Sequence, residues 1–177
     1  IKTLEDKKVN KAELMKEMGL EPNEDRMLIG MVTRFASHKG LDLVKYIFDD
    51  LMRDNVSVVV LGSGEKVYED FFREMQYRYA GRMSVKIGFL PALSKKIYAG
   101  ADVFLMPSKS EPCGLAQMVA ARYGTLPIVR ETGGLKDSIH DMGSENGNGF
   151  TFKTYNAHDM LGAIQRAGGL YGNKPLW

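Results

Sequence analysis

The sequence predicts an α/β fold, a parallel sheet of about six strands flanked by helices. Three observations lead there. Six short apolar runs of strand length alternate with stretches that carry apolar residues at helical spacing. Strict strand and helix alternation joins parallel strands by right-handed crossovers, which lay the helices on the sheet. The 177 residues, 44% hydrophobic and 26% charged, are enough for one well-packed core and too few for two large domains.

The elements follow in order. Ala12 to Met18 has a short helical pattern stopped by Gly19, with Pro22 close behind. Met27 to Val32 is the first strand, and Leu41 to Arg53 the helix after it. Val56 to Leu61 and Val67 to Tyr79 form the second pair, Ser84 to Ile87 and Leu93 to Ala99 the third. Asp102 to Met106 has the length and apolar composition of a buried strand and leads to a helix over Cys113 to Tyr123. Leu126 to Val129 precedes a helix over Leu135 to Asp141, and Phe150 to Phe152 precedes the last helix, Ala157 to Leu170. The cluster from Gly143 to Gly149 reads as a loop, and repeats and low-complexity segments are absent from the sequence.

Composition narrows the function. The formal net charge of +2 is spread along the chain with both signs interleaved, so a basic face suited to nucleic acid is not expected. One cysteine excludes an internal disulfide and, with three histidines, a zinc site of the Cys/His kind. A reducing cytoplasm is the expected location, or a plastid if the source is a plant. No stretch approaches the length of a membrane span, and the charged opening has no apolar signal core, so no membrane partner is expected. The opening also lacks an initiator Met, as a fragment of a longer protein would.

The chemistry gathers at the strand ends. Ser110-Glu111-Pro112-Cys113-Gly114-Leu115-Ala116-Gln117 reads as a helix start built to hold an anion. Ser110 or Glu111 caps, Pro112 suits the first turn, and the N–H groups of Gly114, Leu115 and Ala116 point out of the helix end. This start lies at a strand's carboxyl edge, where open α/β sheets bind ligands. The other strands end in Thr33 to Gly40, Gly62-Ser63-Gly64, Gly88-Phe89 and Arg130 to Leu135. Cations, a bare helix end, glycine turns and an aromatic ring at one edge suit a nucleotide diphosphate, with the base stacked on the ring and a carboxylate on the ribose. A metal is then unnecessary, and no cofactor is expected.

On these residues the chain resembles the C-terminal, nucleotide-sugar-binding half of bacterial glycogen synthases and plant starch synthases, retaining transferases of the two-Rossmann-domain architecture called GT-B. The resemblance runs from residue 11 to residue 177. It rests on Arg34 with Lys39-Gly40-Leu41-Asp42-Leu43, on Glu111-Pro112-Cys113-Gly114-Leu115 with Gln117, on Arg122 to Pro127, and on Thr132-Gly133-Gly134-Leu135. It implies that residues 1–177 form one Rossmann-like donor-binding domain, half of a GT-B glycosyltransferase, lacking the N-terminal acceptor domain. ADP-glucose is the implied donor, and glucose passes with retention to the non-reducing end of an α-1,4-glucan held by that missing domain. Arg34 and Lys39 are implied to hold the diphosphate and stabilise it as leaving group, with Glu111 on the ribose as the third member of the catalytic set. Gly62, Gly64, Phe89, Cys113, Gly114, Leu115, Ala116, Thr132, Gly133 and Gly134 make up the implied donor site. Within it Leu115 and Ala116 offer backbone N–H groups to phosphate, and Phe89 stands where the family often stacks Tyr on adenine. Ala116 replaces a Thr common in the family, which removes one hydroxyl contact. Val119 stands where the wider sucrose- and lipopolysaccharide-type relatives carry a second Glu, which favours the glycogen and starch synthases.

Other readings of the same residues are plainer. Glu111 as a simple helix-end acid contributes about 0.3 to 1 kcal/mol through the dipole. Gly62-Ser63-Gly64 lacks the third glycine of a dinucleotide fingerprint and reads as a tight turn near the base. Cys113 has no base beside it in the sequence and reads as a small packing residue. His38, His140 and His158 have no spacing that joins them to a carboxylate pair, and the eleven methionines read as core filler. Two alternatives stay open: UDP in place of ADP, and a nucleotide or nucleotide-sugar binding module without turnover.

Overall fold

The computed structural model describes residues 4–109, 119–120, 122–131, 139–142 and 147–172. Six parallel strands form one sheet: β1 (Met27–Phe35), β2 (Val56–Gly64), β3 (Met83–Ile87), β4 (Val103–Met106), β5 (Leu126–Arg130) and β6 (Phe150–Phe152). Their order is β3-β2-β1-β4-β5-β6, and every neighbouring pair is parallel. The chain therefore winds outward twice from the centre, and the winding reverses between β1 and β4, the position at whose carboxyl ends open α/β sheets bind ligands. The α-helices whose full range lies within the described residues are α1 (Leu4–Glu17), α2 (Leu41–Leu51), α3 (Lys66–Arg78), α4 (Pro91–Gly100) and α5 (Ala157–Gly172).

Each face of the sheet is buried, which is why the strands are apolar almost throughout. On one face Met27, Ile29, Met31, Val58 and Val60 pack with Val44, Ile47 and Phe48 of α2, Phe71, Phe72 and Met75 of α3, and Met160 and Ile164 of α5. On the other, Leu28, Val59 and Leu61 meet Leu14 and Met15 of α1, Met18 just past its end, and Leu93 and Ile97 of α4. The one-residue alternation along β1 and β2 thus sorts side chains between two helix layers. Phe35 lies 5.2 Å from Phe72 between ring centroids, so aromatic packing continues to the last residue of β1. The Asn156 side chain caps α5, accepting from the N–H groups of His158 (2.8 Å) and Asp159 (3.1 Å). Pro91 opens α4 at its first turn.

Three expectations are corrected. The first helix begins at Leu4 rather than Ala12, because its inward stripe is half-buried Lys7 followed by buried Lys11, Leu14 and Met15, and its first two members are lysines. Lys11 is buried and pairs with the equally buried Asp102 at 2.7 Å, while also donating to the Glu24 and Arg26 carbonyls. A helical stripe with cations in it carries no apolar period. Second, Gly62-Ser63-Gly64 is not a tight turn. β1 and β2 stay in register through Phe35 and Gly64, which also puts Arg34 on a strand and not in a loop. Gly62 permits this extension, since a Cβ there would sit 1.9 Å from the Thr33 carbonyl oxygen and 2.6 Å from the Phe35 ring. Third, the helix expected over Leu135 to Asp141 does not reach its end as predicted: Ile139 and His140 are not helical, and Asp141 forms a parallel bridge with Gly149. The first six residues of the predicted Cys113 to Tyr123 helix lie outside the described residues; Val119, Ala120 and Arg122 are helical.

Candidate active site

The carboxyl edge of the sheet carries the described part of the site. β1 ends in exposed Arg34 and buried Phe35, and a single 3₁₀ turn, Ser37–Lys39, follows. Gly40 then adopts φ +80° and ψ 14°, a left-handed conformation that lets α2 start at once, with the Leu43 and Val44 N–H groups bonded back to its carbonyl. A Cβ at Gly40 would lie 2.0 Å from the carbonyl oxygen of Pro107, just past β4. The loop bearing Lys39 is therefore pressed against the end of β4, and the Lys109 N–H donates to the His38 carbonyl at 2.9 Å. Lys39 is half-buried. The N-terminus of α2 lies on the same edge and adds its partial positive charge.

The remaining strand ends close the edge. The Glu65 N–H donates to Phe35 O at 2.8 Å, and the Gly88 N–H to Gly62 O at 2.9 Å, so β1 and β2 finish level and β3 ends two residues short of them on the same edge. The Gly64 N–H donates to the Glu69 carboxylate at 2.9 Å. Phe89, the second residue after β3, is 87% exposed and so presents its ring face to solvent rather than to the core. Its strand lies two strand spacings, roughly 10 Å, from β1.

At the end of β5, Arg130 donates to three carbonyls: Ser108 (3.2 Å), Lys109 (2.7 Å) and Lys153 (3.2 Å). Its guanidinium lies 5.6 Å from the centroid of the Tyr155 ring, and the Lys109 ammonium 5.7 Å from the same ring. The Tyr155 hydroxyl donates to Asp42 in the first turn of α2. Burial, then the bond to Asp42 and the charge of that carboxylate, push the Tyr155 phenol well above its usual range, so it remains a donor at every working pH. Glu131 accepts from the Thr151 hydroxyl at 3.0 Å, and its N–H donates to Phe152 O at 2.9 Å, holding the start of the segment that follows β5.

Of the residues expected in the site, Arg34, Lys39, Gly62, Gly64 and Phe89 stand on this one edge, with Lys39 held directly against the end of β4. Glu111, Cys113, Gly114, Leu115, Ala116, Thr132, Gly133 and Gly134 lie outside the described residues. The described residues that lead into those two segments, Ser108-Lys109 and Arg130-Glu131, end on the same edge and are bonded to each other. Tyr155 was missed by sequence reasoning: its partner is 113 residues away, and a lone Tyr after a short strand carries no signal. Among the described residues no group of three or more His, Cys, Asp or Glu is placed to hold a metal ion, and no helix is long and apolar enough to cross a membrane.

With this geometry established, the comparisons with known proteins are specific. Residues 15–168 match the family described as glycosyl transferases group 1. The chain is 50% identical over 177 residues to a glycogen synthase of Bacillus cereus (strain B4264), covering 99% of this chain and 37% of that protein. It is similar to the catalytic domain of starch synthase IV from Arabidopsis thaliana, solved bound to ADP and acarbose, with a TM-score of 0.86, 35% identity, and coverage of 93% of this chain and 35% of that one. A UDP-forming trehalose-phosphate synthase from Burkholderia xenovorans shares the fold at 12% identity and a TM-score of 0.63, over 97% of this chain and 46% of that one.

Proposed function

The chain belongs to the glycosyl transferases group 1 family, and we propose that it is the donor-binding domain of a retaining glucosyltransferase of the glycogen and starch synthase type. In this reading it binds ADP-glucose and, with an N-terminal acceptor domain, adds glucose to the non-reducing end of an α-1,4-glucan. The observation that carries the reading is the 50% identity to a glycogen synthase across 99% of the chain. The Arabidopsis relative solved with ADP and acarbose supports the nucleotide and the glucan class. The chain spans 37% of the length of the Bacillus relative, so the acceptor wall of the cleft is proposed to come from the rest of such a protein.

The chemistry follows from the edge of the sheet. As the bond from the anomeric carbon to the diphosphate oxygen breaks, negative charge grows on the departing phosphate. Arg34 and Lys39, with the N-terminus of α2 behind them, stabilise that charge where it develops, the role a divalent ion fills in other transferases. Glu111 holds the ribose, the Leu115 and Ala116 N–H groups meet phosphate, and Phe89 stacks on the base. The acceptor hydroxyl oxygen bonds to the anomeric carbon as the bond to the diphosphate oxygen breaks, and the hydroxyl proton passes to the departing phosphate.

The test is transfer of labelled glucose from ADP-glucose to glycogen. The chain joined to an acceptor domain of a close relative should label the polymer, and the 177-residue chain alone should bind donor without transfer, because the acceptor must be held within reach of the anomeric carbon in a site closed to water. Donor binding with no transfer by the joined protein would favour a binding module. Elongation by the isolated chain well above a Glu111→Ala control would show that the catalytic machinery has been misplaced.

A further inference from the structure

Two loops of the site, the one that carries Lys39 and the one that leads from β4 into residues 110–118, are joined by a closed circuit of contacts. Arg130 holds the Ser108 and Lys109 carbonyls with two of its nitrogens and the Lys153 carbonyl with a third. Tyr155, two residues past Lys153, lies under the Arg130 guanidinium and the Lys109 ammonium and donates its hydroxyl to Asp42 at 2.5 Å. Asp42 is two residues beyond Gly40 on α2, and from there the circuit returns through the bond from the Lys109 N–H to the His38 carbonyl. Four separate parts of the chain, residues 38–42, 108–109, 130 and 153–155, are thereby fixed to one another.

Resting on the nucleotide-diphosphate reading above, we infer that Arg130, Tyr155 and Asp42 are positioning residues that set the Lys39 loop and the end of β4 at the spacing a diphosphate requires before it arrives. The planar guanidinium suits this role, because its fork reaches carbonyls of two different loops at once, which an ammonium cannot do. Loops held in advance spare the ligand the cost of ordering them, and the gain is read as affinity. The Asp42 carboxylate is exposed and Tyr155 half-buried. A polar pair so placed contributes little to global stability, which separates the positioning role from a structural one.

The experiment is calorimetric titration of ADP and of AMP into the 177-residue chain and its variants, with the melting temperature of each. Tyr155→Phe and Asp42→Ala should weaken ADP by about tenfold while changing AMP by about twofold or less, the size of one lost hydrogen bond. Their melting temperatures should stay within about 3 °C of the parent. Asp42→Asn, which keeps an acceptor oxygen for the Tyr155 hydroxyl, should recover most of the ADP affinity, and Arg130→Lys should lose more than either single hydroxyl partner. If the parent chain takes up no ADP, the nucleotide reading fails and this inference with it. If the parent binds ADP and Tyr155→Phe and Asp42→Ala bind it equally well, the inference alone is overturned. Equal losses for ADP and AMP together with a large drop in melting temperature would make the circuit structural and also overturn it.

Discussion

Replacing Gly40 with Ala separates the backbone demand of the site from its packing demand. Gly40 has φ +80°, where an L side chain costs roughly 1 to 2 kcal/mol. The new Cβ would also lie 2.0 Å from the Pro107 oxygen and 2.6 Å from its carbonyl carbon. A carbon-to-oxygen approach below about 3.3 Å is unfavourable, so the Lys39 loop and the end of β4 have to part by about 1.3 Å. Overpacking of this kind costs about 1 to 3 kcal/mol, which brings the destabilisation to about 3 kcal/mol and the fall in melting temperature to roughly 6 to 12 °C. The same displacement pulls the Lys39 charge from the diphosphate it is proposed to hold, so ADP affinity should fall about 10- to 100-fold. Gly19→Ala is the control. Gly19 has φ +72° but open space where the Cβ would go, so it should show the backbone cost of about 1 kcal/mol and leave ADP binding unchanged. Calorimetric melting and ADP titration of both variants measure the two effects. If Gly40→Ala behaves like Gly19→Ala in both assays, the close approach at Pro107 is not what the site requires.

Other consequences can be checked as directly. In the proposed two-domain transferase, Arg34→Ala and Lys39→Ala should lower kcat more than they raise the donor KM, by roughly 3 to 4 kcal/mol of barrier for one lost contact, and activity should persist in EDTA; a pure KM effect, or loss restored by a divalent ion, contradicts the transition-state role. Asp102→Ala leaves the Lys11 ammonium buried and removes the acceptor of the Leu28 N–H, so it should destabilise the fold by about 3 to 5 kcal/mol in urea unfolding, and an unchanged midpoint would refute the account of that pair. Burial pushes the Lys7 ammonium down from 10.5 to about 8, with Asp102 opposing and Lys11 adding to the shift. Between those values the unfolded chain binds the proton and the folded chain does not, so the stability of the parent relative to Lys7→Met should rise with pH from about 8 to about 10.5, and a flat or falling difference would contradict the burial of that amine.

The sequence made the sheet legible because both of its faces are buried. Val56 to Leu61 and Asp102 to Met106 have only one kind of structure open to them, and their strands match to within a residue or three. The edge where the strands end was legible for the same reason, since its unusual residues, Arg34, Lys39 and Phe89, interrupt otherwise apolar chemistry. Three features were hidden by physics that a local pattern does not carry. The start of α1 is anchored through lysines whose ammonium groups find the Asp102 carboxylate, the Thr125 hydroxyl and carbonyls. The length of β1 and β2 depends on Gly62 giving room to the Phe35 ring, a fact of pairing and not of either segment alone. The circuit through Asp42, Tyr155 and Arg130 joins residues up to 113 positions apart, and only the folded chain brings them together.

The carboxyl edge of this sheet is proposed to bind an adenine nucleotide diphosphate as the donor wall of a glucosyltransferase. Titration calorimetry of the chain with ADP, UDP, ADP-glucose and UDP-glucose tests it most directly. Saturable binding of ADP and ADP-glucose, weaker binding of the uridine pair, and a weakened but measurable ADP response in Lys39→Ala are expected. Absence of ADP binding would contradict the claim, and a stronger response to UDP would overturn the assignment of the donor.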